Sequence, residues 1–445
     1  MNAGTGPVTH RRVLAIALPM TVAHLTTPML GVVDAAVVGR LGDAALLGGV
    51  ALAAVIFDML FWGFGFLRMG TVGLAAQAVG RRDAVEQRAV LARALLIALA
   101  CGLVLVALQV PILAAALRLA GASAEVNGAV ADYYNVRIFA APFSLANYAV
   151  LGWLTGLGRT GRALALQVGM NLLNMALTAF LVLQLGLGIT GAAAGTLAAE
   201  VVGAMVGLLL CARLGGTGVI GLFDRVPRAV LLDRARLREA MLLNGDIMIR
   251  TAALMFAFFF FAAQGARAGD VTLAANAVLQ NLGLLAAYFL DGFATAAEQI
   301  CGAAVGAQRL EAFGRGVTLV LVWGFGFALA AALIYLAVGP ALIDLMTASP
   351  AVREEARRYL LYAALLPVAG VSAFAFDGVF IGALWSRDMR NLMLLAVGIY
   401  VAAWWLLRPF GNDGLWGAMM VFLVARGVLQ GARLPALVRR TFRPA

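Results

Sequence analysis

The sequence predicts an all-α polytopic membrane protein of twelve transmembrane helices in two pseudo-symmetric six-helix lobes. Three observations carry that reading: the composition, the recurrence of long apolar runs, and a repeat at one fixed offset. The 445-residue chain is 63% hydrophobic and 12% charged, with a mean hydropathy of +0.95. A soluble domain is nearer about 45–50% apolar and about 25% charged. A helix of about 20 apolar residues crosses the hydrocarbon core, and runs of that length recur along the whole chain. Strands of a membrane barrel would instead alternate over about 10 residues, a pattern the sequence does not contain.

The predicted spans are 13–38, 46–79, 90–117, 131–156, 163–185, 190–213, 238–265, 271–305, 316–346, 357–383, 391–408 and 414–436. Short turns rich in Arg and Gly join them. Met1–Thr9 is polar and Val13–Val38 is too long for a signal h-region, so no cleavable signal is expected. Cys101, Cys211 and Cys301 lie in or beside spans without motif spacing and read as small buried hydrophobes. His10 and His24 are the only histidines, which excludes a His-rich metal site.

The net charge of +11 raises the question of nucleic acid. Basic residues beside membrane spans report topology first, and no nucleic-acid partner is expected. The joining segments alternate between two sides. One side holds Arg11, Arg12, the Arg81–Arg93 cluster, Arg159, Arg162, the run from Arg213 to Arg238, Arg309, Arg315, Arg387, Arg390 and the tail from Arg433 to Arg443. The other holds Arg40, Arg118, Arg267, Arg353, Arg357, Arg358 and Arg408. The division is 22 arginines against 7, with four inside spans. The excess predicts that both termini are cytoplasmic, in a multi-pass inner (plasma) membrane protein.

A basic connection near the middle divides the chain into an N-terminal lobe, 1–214, a cytoplasmic linker, 215–237, and a C-terminal lobe, 238–445. Ala78-Val79-Gly80 reappears as Ala304-Val305-Gly306, an offset of 226 residues. At the same offset Gly152 matches Gly378, Gly156 matches Gly382 and Tyr133 matches Tyr359. The shift lays spans two and four on spans eight and ten. An even number of spans separates the copies, so both run the same way through the membrane, a parallel repeat about an axis along its normal. Two such lobes facing a cleft can rock between inward-open and outward-open states.

Ionisable side chains inside a bilayer cost a few kcal/mol or more and mark function by default. Asp34 has apolar neighbours on both sides and no cation within a helical turn. An apolar medium disfavours a carboxylate's charged form, which makes Asp34 the candidate proton carrier; an ion pair with an arginine from another helix is the competing reading. Pro19 and Pro28 are expected to interrupt the first span, since Pro28 has no N–H for the carbonyl of His24. Thr27 lies seven residues before Asp34 on the same helical face. Asn171, Asn174 and Thr178 form a polar stripe on span five, readable as a site or as interhelical packing. Thr196 opens span six among small residues, where packing is the plainer reading. In the second lobe Asp246 and Arg250, at i and i+4, are expected to pair, Asp291 and Glu298 share a face of span eight, and Asp377 lies in span ten. The repeat position of Asp34 falls in Phe258–Phe261, so the coupling carboxyl is expected in one lobe only. Arg68, Arg137 and Arg426 are expected to neutralise carboxylates. Trp62, Phe64, Phe66, Tyr288 and Phe289 could line a cavity for flat lipophilic compounds, although packing explains most such aromatics.

The chain resembles the multidrug and toxic compound extrusion (MATE) transporters, and among them the DinF branch. The segments that carry the resemblance are Leu18-Pro19-Met20 with Leu30-Gly31-Val32-Val33-Asp34, Phe66-Leu67-Arg68-Met69-Gly70-Thr71 with Ala76-Gln77-Ala78, and Asn244-Gly245-Asp246-Ile247-Met248. Leu290-Asp291-Gly292-Phe293-Ala294 with Glu298, Phe376-Asp377-Gly378-Val379-Phe380-Ile381-Gly382 and Asp388-Met389-Arg390-Asn391 complete them. The resemblance implies export of cationic or lipophilic organic compounds against a proton or sodium gradient. It implies an ion-coupling set of Asp34, Asn174, Thr178 and Thr196. Substrate contacts are expected at Asp34, Thr27, His24, Asn171, Tyr288 and Asp291. The family pattern usually carries an acid four residues after the Asn, where this chain has Thr178. Losing that carboxylate removes a hard oxygen ligand, so the proton is the expected coupling ion and sodium the alternative. His24 replaces what is commonly Asn in this branch, which raises the question of a second titrating group. No other cofactor, no metal and no enzymatic activity are expected, and a monomer is expected. The rival readings are a flippase for lipid-linked intermediates, which needs a more basic cavity than four in-span arginines supply, and a membrane-embedded enzyme, for which no nucleophile or metal motif is present.

Overall fold

The computed structural model describes residues 6–215 and 226–442, and among these the regular structure is entirely helical. Twelve long apolar helices follow one another: α1 His10–Gly39, α2 Ala44–Gly80, α3 Ala84–Ala107, α4 Ala124–Gly156, α5 Thr160–Gln184 and α6 Gly188–Leu214, then α7 Arg234–Arg267, α8 Asp270–Gly306, α9 Leu310–Met346 and α10 Pro350–Gly382, and α11 Ser386–Leu407 and α12 Gly411–Thr441. The last two are nearly continuous along the chain, but Gly411 takes φ 61° after a single 3-10 turn, and the two helices pack along each other. They are therefore separate passes. All twelve predicted spans are present.

Polar caps set where the spans begin. Asp43 accepts from the backbone N–H groups of Ala45 and Leu46 at the start of α2, and Asp83 from Glu86 before α3. Ser123 does the same before α4 and Asp233 before α7. Each cap satisfies N–H groups that have no partner within their own helix. The 215–237 linker contributes a short helix, Arg228–Leu231; residues 216–225 of it lie outside the described residues.

One expectation about α1 is corrected. The helix runs unbroken from His10 to Gly39 through both Pro19 and Pro28. A proline removes one backbone hydrogen bond, and the turns on either side still satisfy theirs, as an apolar span demands. α2 is the helix that breaks: a turn at Phe64 and Gly65 separates Ala44–Gly63 from Phe66–Gly80. Packing groups the described residues into two compact units. One comprises the chain up to Thr21, Gly80–Arg82 and the chain from Leu242; the other comprises Val22–Val79 and Asp83–Met241. In the former, Val13, Ile16 and Ala17 of α1 share a core with Phe293, Ala296 and Ala297 of α8. A second core there gathers Phe261, Tyr400, Trp416 and Phe422.

The repeat is visible in the register of helix packing. In one unit a Cβ on Gly152 would come 2.5 Å from the Arg68 carbonyl oxygen, and one on Gly156 would come 2.7 Å from that of Val72. In the other unit, Gly378 lies closer still against the Ala294 carbonyl oxygen, and a Cβ on Gly382 would come 2.4 Å from that of Glu298. Residues 294 and 298 are 68 and 72 displaced by the same 226 positions. The α2–α4 crossing is thus rebuilt as the α8–α10 crossing, glycine for glycine. Backbones at this distance admit no side chain between them, and small residues at helix crossings are how membrane helices approach closely.

Candidate coupling site

The site is assembled within the unit that holds residues 22–79 and 83–241. α1 contributes His24, Thr26 and Asp34, α5 the polar stripe, α6 Thr196, and α2 and α4 a set of charged and aromatic groups. Asp34 is 8% exposed, makes no ion pair among the described residues, and its Oδ1 has no hydrogen-bond partner. The Thr178 hydroxyl stands within hydrogen-bonding reach of the carboxyl. Thr178 also lies 3.5 Å from Asn174 Oδ1. Asn174 in turn donates from Nδ2 to Thr196 Oγ1 at 3.1 Å, and Thr196 donates to the Ala192 carbonyl. Thr178, Asn174 and Thr196 therefore form one hydrogen-bonded chain across α5 and α6, and Asp34 of α1 stands at its Thr178 end. All four are buried.

A second hydrogen-bonded chain joins α5 to α1. Gln167 donates to Asn171 Oδ1 at 3.1 Å, Asn171 donates to Thr26 Oγ1 at 2.7 Å, and Thr26 donates to the Ala23 carbonyl at 2.8 Å. Thr26, not Thr27, is the threonine that meets the α5 stripe; Thr27 is exposed. A hydroxyl bonded to a carbonyl of the preceding turn bends helices, and this one sits two residues before Pro28. His24 Nε2 lies 2.7 Å from Arg68 Nη1. A guanidinium has only donors, so Nε2 accepts and the ring is the neutral tautomer in this arrangement. The reading of His24 as a titrating group finds no support in that geometry.

Sequence reasoning missed several members of the site. Arg137 of α4 donates to the Tyr133 hydroxyl at 3.0 Å and lies over the Phe57 ring, 4.6 Å from its centroid. Its charge faces Asp58, Asp34 and Glu200. Glu200 of α6 accepts from Asn147 Nδ2 at 2.7 Å. Thr196 and Glu200 are four residues apart, one helical turn on the same face, which is the signal that could have flagged Glu200. Of the in-span arginines expected to neutralise carboxylates, Arg426 reaches Asp377, Arg68 is bonded to a histidine instead, and Arg137 is bonded to a tyrosine while its charge faces three acids.

In the other unit Asp246 and Arg250 do not pair. Asp246 is bound by Arg390 and Ser386, while Arg250 and Arg426 both reach Asp377, Arg426 at 2.6 Å, and Gln430 completes the cluster at 2.7 Å. A buried carboxylate with a strongly charged neighbour on α12 outcompetes an i,i+4 partner whose side chain points the same way along one helix. Tyr288 and Asp291 lie half-buried on α8 in this unit, and Glu298 is buried. The Phe289 ring stacks on Phe327 at 5.2 Å, a packing role.

The profile of the family described as MatE matches residues 19–180 and 247–406, two segments whose starts differ by nearly the repeat offset. The chain is 37% identical over 434 residues to the DNA damage-inducible protein F of Escherichia coli K12, covering 96% of this chain and 92% of that one. It is 27% identical to a probable multidrug resistance protein NorM of Rhizobium meliloti, covering 98% and 95%. Among solved structures, a MOP superfamily transporter from Pyrococcus furiosus superimposes with a TM-score of 0.88 at 20% identity, covering 99% of this chain and 98% of that one. At that identity the match speaks for the fold.

Proposed function

Because the chain belongs to the MatE family, we propose that it is a secondary active efflux transporter that exports cationic or lipophilic organic compounds by proton-coupled antiport with alternating access. The names of its relatives support multidrug export, and the absence of an acid at Thr178 favours the proton over sodium. The observation that carries the proton reading is the state of Asp34: buried, without an ion pair, and with Oδ1 unpartnered. A buried carboxylate oxygen without a donor carries its full desolvation cost, and a proton removes it.

The hydrogen-bond chain gives that proton a consequence. A threonine hydroxyl has one hydrogen to donate. With Asp34 ionised, Thr178 donates to the carboxylate. With Asp34 protonated, the carboxyl donates to Thr178, whose own hydrogen turns to Asn174 Oδ1, already 3.5 Å away. Protonation thus changes the bonds that tie α1 to α5 and α6. Release of the α1 carboxylate charge biases the lobes, 1–214 and 238–445, between their two open states, and bound substrate cation competes with the proton for Asp34.

The same reading places both termini in the cytoplasm of a bacterial inner membrane. Pairing sharpens the arginine asymmetry: on the sparse side Arg357 binds Asp344 at 2.7 Å, Arg353 lies 3.6 Å from it, and Arg358 lies 3.8 Å from Asp413. The decisive experiment is substrate efflux from proteoliposomes under an imposed pH gradient and then an imposed sodium gradient, with wild type and Asp34→Asn. Drive by the pH gradient alone, lost in the variant, is expected. Full drug-driven proton release by Asp34→Asn would overturn the proposal.

A further inference from the structure

A second carboxyl in the same unit is built as Asp34 is. Glu200 of α6 is half-buried, and like Asp34 and Asp58 it makes no ion pair among the described residues. What it does have is an amide: Asn147 Nδ2 donates both to the Glu200 carboxyl oxygen Oε2 at 2.7 Å and to its backbone oxygen at 3.0 Å. Asn147 is 1% exposed, and its Oδ1 is a buried acceptor without any donor. Asp34 and Glu200 thus each have a buried acceptor without a donor, Oδ1 of Asp34 itself and Oδ1 of the amide that grips Glu200. A protonated Glu200 still accepts from Asn147 Nδ2 and adds a donor beside an amide whose Oδ1 has none.

The charge balance points the same way. Three acids, Asp34, Asp58 and Glu200, face one arginine, Arg137, from three different helices. Arg137 is anchored by Tyr133 and Phe57 rather than by any of them, and Asp58, exposed on α2 next to Phe57, is the acid that bears on it most. One guanidinium offsets one carboxylate. The other groups facing Glu200 are Ser144 and Asn147 and Tyr148, which Arg68 also approaches; Arg68 itself is committed to His24. Two acids, Asp34 buried and Glu200 half-buried, are left without a cation of their own among the described residues, and two positions remain for a proton or a cationic substrate.

We propose that Glu200 is a second proton-carrying carboxyl of this unit, so that the site exchanges two protons, one at Asp34 and one at Glu200. The inference rests on the antiport reading and deepens it: Glu200, one turn from Thr196, takes the place of the acid that Thr178 lacks, with Asn147 as its hydrogen-bonding partner. Two protons against one monovalent organic cation make the exchange electrogenic.

Infrared difference spectra of the full chain in lipid, recorded between low and high pH, test this without a substrate, because each protonated carboxyl contributes its own C=O band. Wild type should lose two bands on deprotonation, Glu200→Gln one of them and Asp34→Asn the other. Glu200→Asp should keep a shifted band, and Asn147→Leu should move the midpoint of the Glu200 band alone. In proteoliposomes with tetraphenylphosphonium as the probe, the proton-to-cation ratio should fall from two to one in Glu200→Gln. A Glu200→Gln spectrum identical to wild type, with Asp34→Asn losing its band, overturns this inference and leaves Asp34 standing. An unchanged spectrum in Asp34→Asn overturns the antiport reading itself. Should Glu200→Gln not fold, Glu200→Asp and Asn147→Leu carry the test: unchanged bands in both overturn the proposal.

Discussion

Arg68 donates to Nε2 of His24 at 2.7 Å, and this bond holds α1 to the second half of α2 in the turn that precedes Pro28. The partner it needs is an acceptor, not a titrating ring. His24→Asn and His24→Gln, whose amide oxygen replaces Nε2 as acceptor, should therefore transport within about twofold of wild type with an unchanged pH profile. His24→Leu leaves a half-buried guanidinium without its acceptor and should lower both melting temperature and efflux. Thermal unfolding in detergent and efflux across pH separate the variants.

Thr178→Asp restores a second carboxylate beside Asp34, Asn174 and Thr196. Hard oxygen ligands with added negative charge bind sodium where neutral ones do not. The variant should be stabilised by sodium in a melting assay, whereas wild type should respond equally to sodium and potassium.

Gly382 meets the Glu298 backbone so closely that a Cβ would stand 2.4 Å from its carbonyl oxygen. Gly382→Ala should cost about 1–3 kcal/mol or more, because neither backbone can move aside. Gly156→Ala, its equivalent at Val72, should cost a similar amount. Gly169→Ala, where nothing lies within 4 Å of the added carbon, is the control and should keep or slightly raise the melting temperature, since Ala is the better helix former.

Asp377 is the common acceptor of Arg250 and Arg426, with side chains 6%, 8% and 3% exposed. Asp377→Asn leaves two buried guanidinium groups without a counter-charge. Removing one partner of such a cluster costs about 3–5 kcal/mol, so the variant should express poorly or melt early. Adding Arg426→Gln should restore part of the loss. Melting temperatures of the single and double variants read the coupling directly.

Both ends of the chain should face the cytoplasm. Fusion of a reporter that fluoresces only in the cytoplasm should give signal at the N-terminus and at the C-terminus alike, and a cysteine introduced at Arg118 should react with an impermeant reagent from outside.

The number of spans, the doubling of the chain and the position of Asp34 as an acid inside an apolar span were all legible in the sequence, because each depends on local properties. A bilayer demands long apolar helices whatever they pack against, a repeat leaves the same small residues at the same spacing, and an acid among apolar neighbours is costly wherever it lies. Even the Gly152–Gly378 and Gly156–Gly382 matches proved to mark crossings of identical register. Partners were not legible. Asp246 and Arg250 sit one turn apart and bind elsewhere, Thr26 rather than Thr27 meets Asn171, and Arg137 rests on a tyrosine and a phenylalanine instead of an acid. Which groups meet depends on the rotation and depth of helices distant along the chain, and no spacing within one helix encodes that. Tertiary packing decided that Asp34 is left without a cation and that Glu200 stands in a similar position beside Asn147.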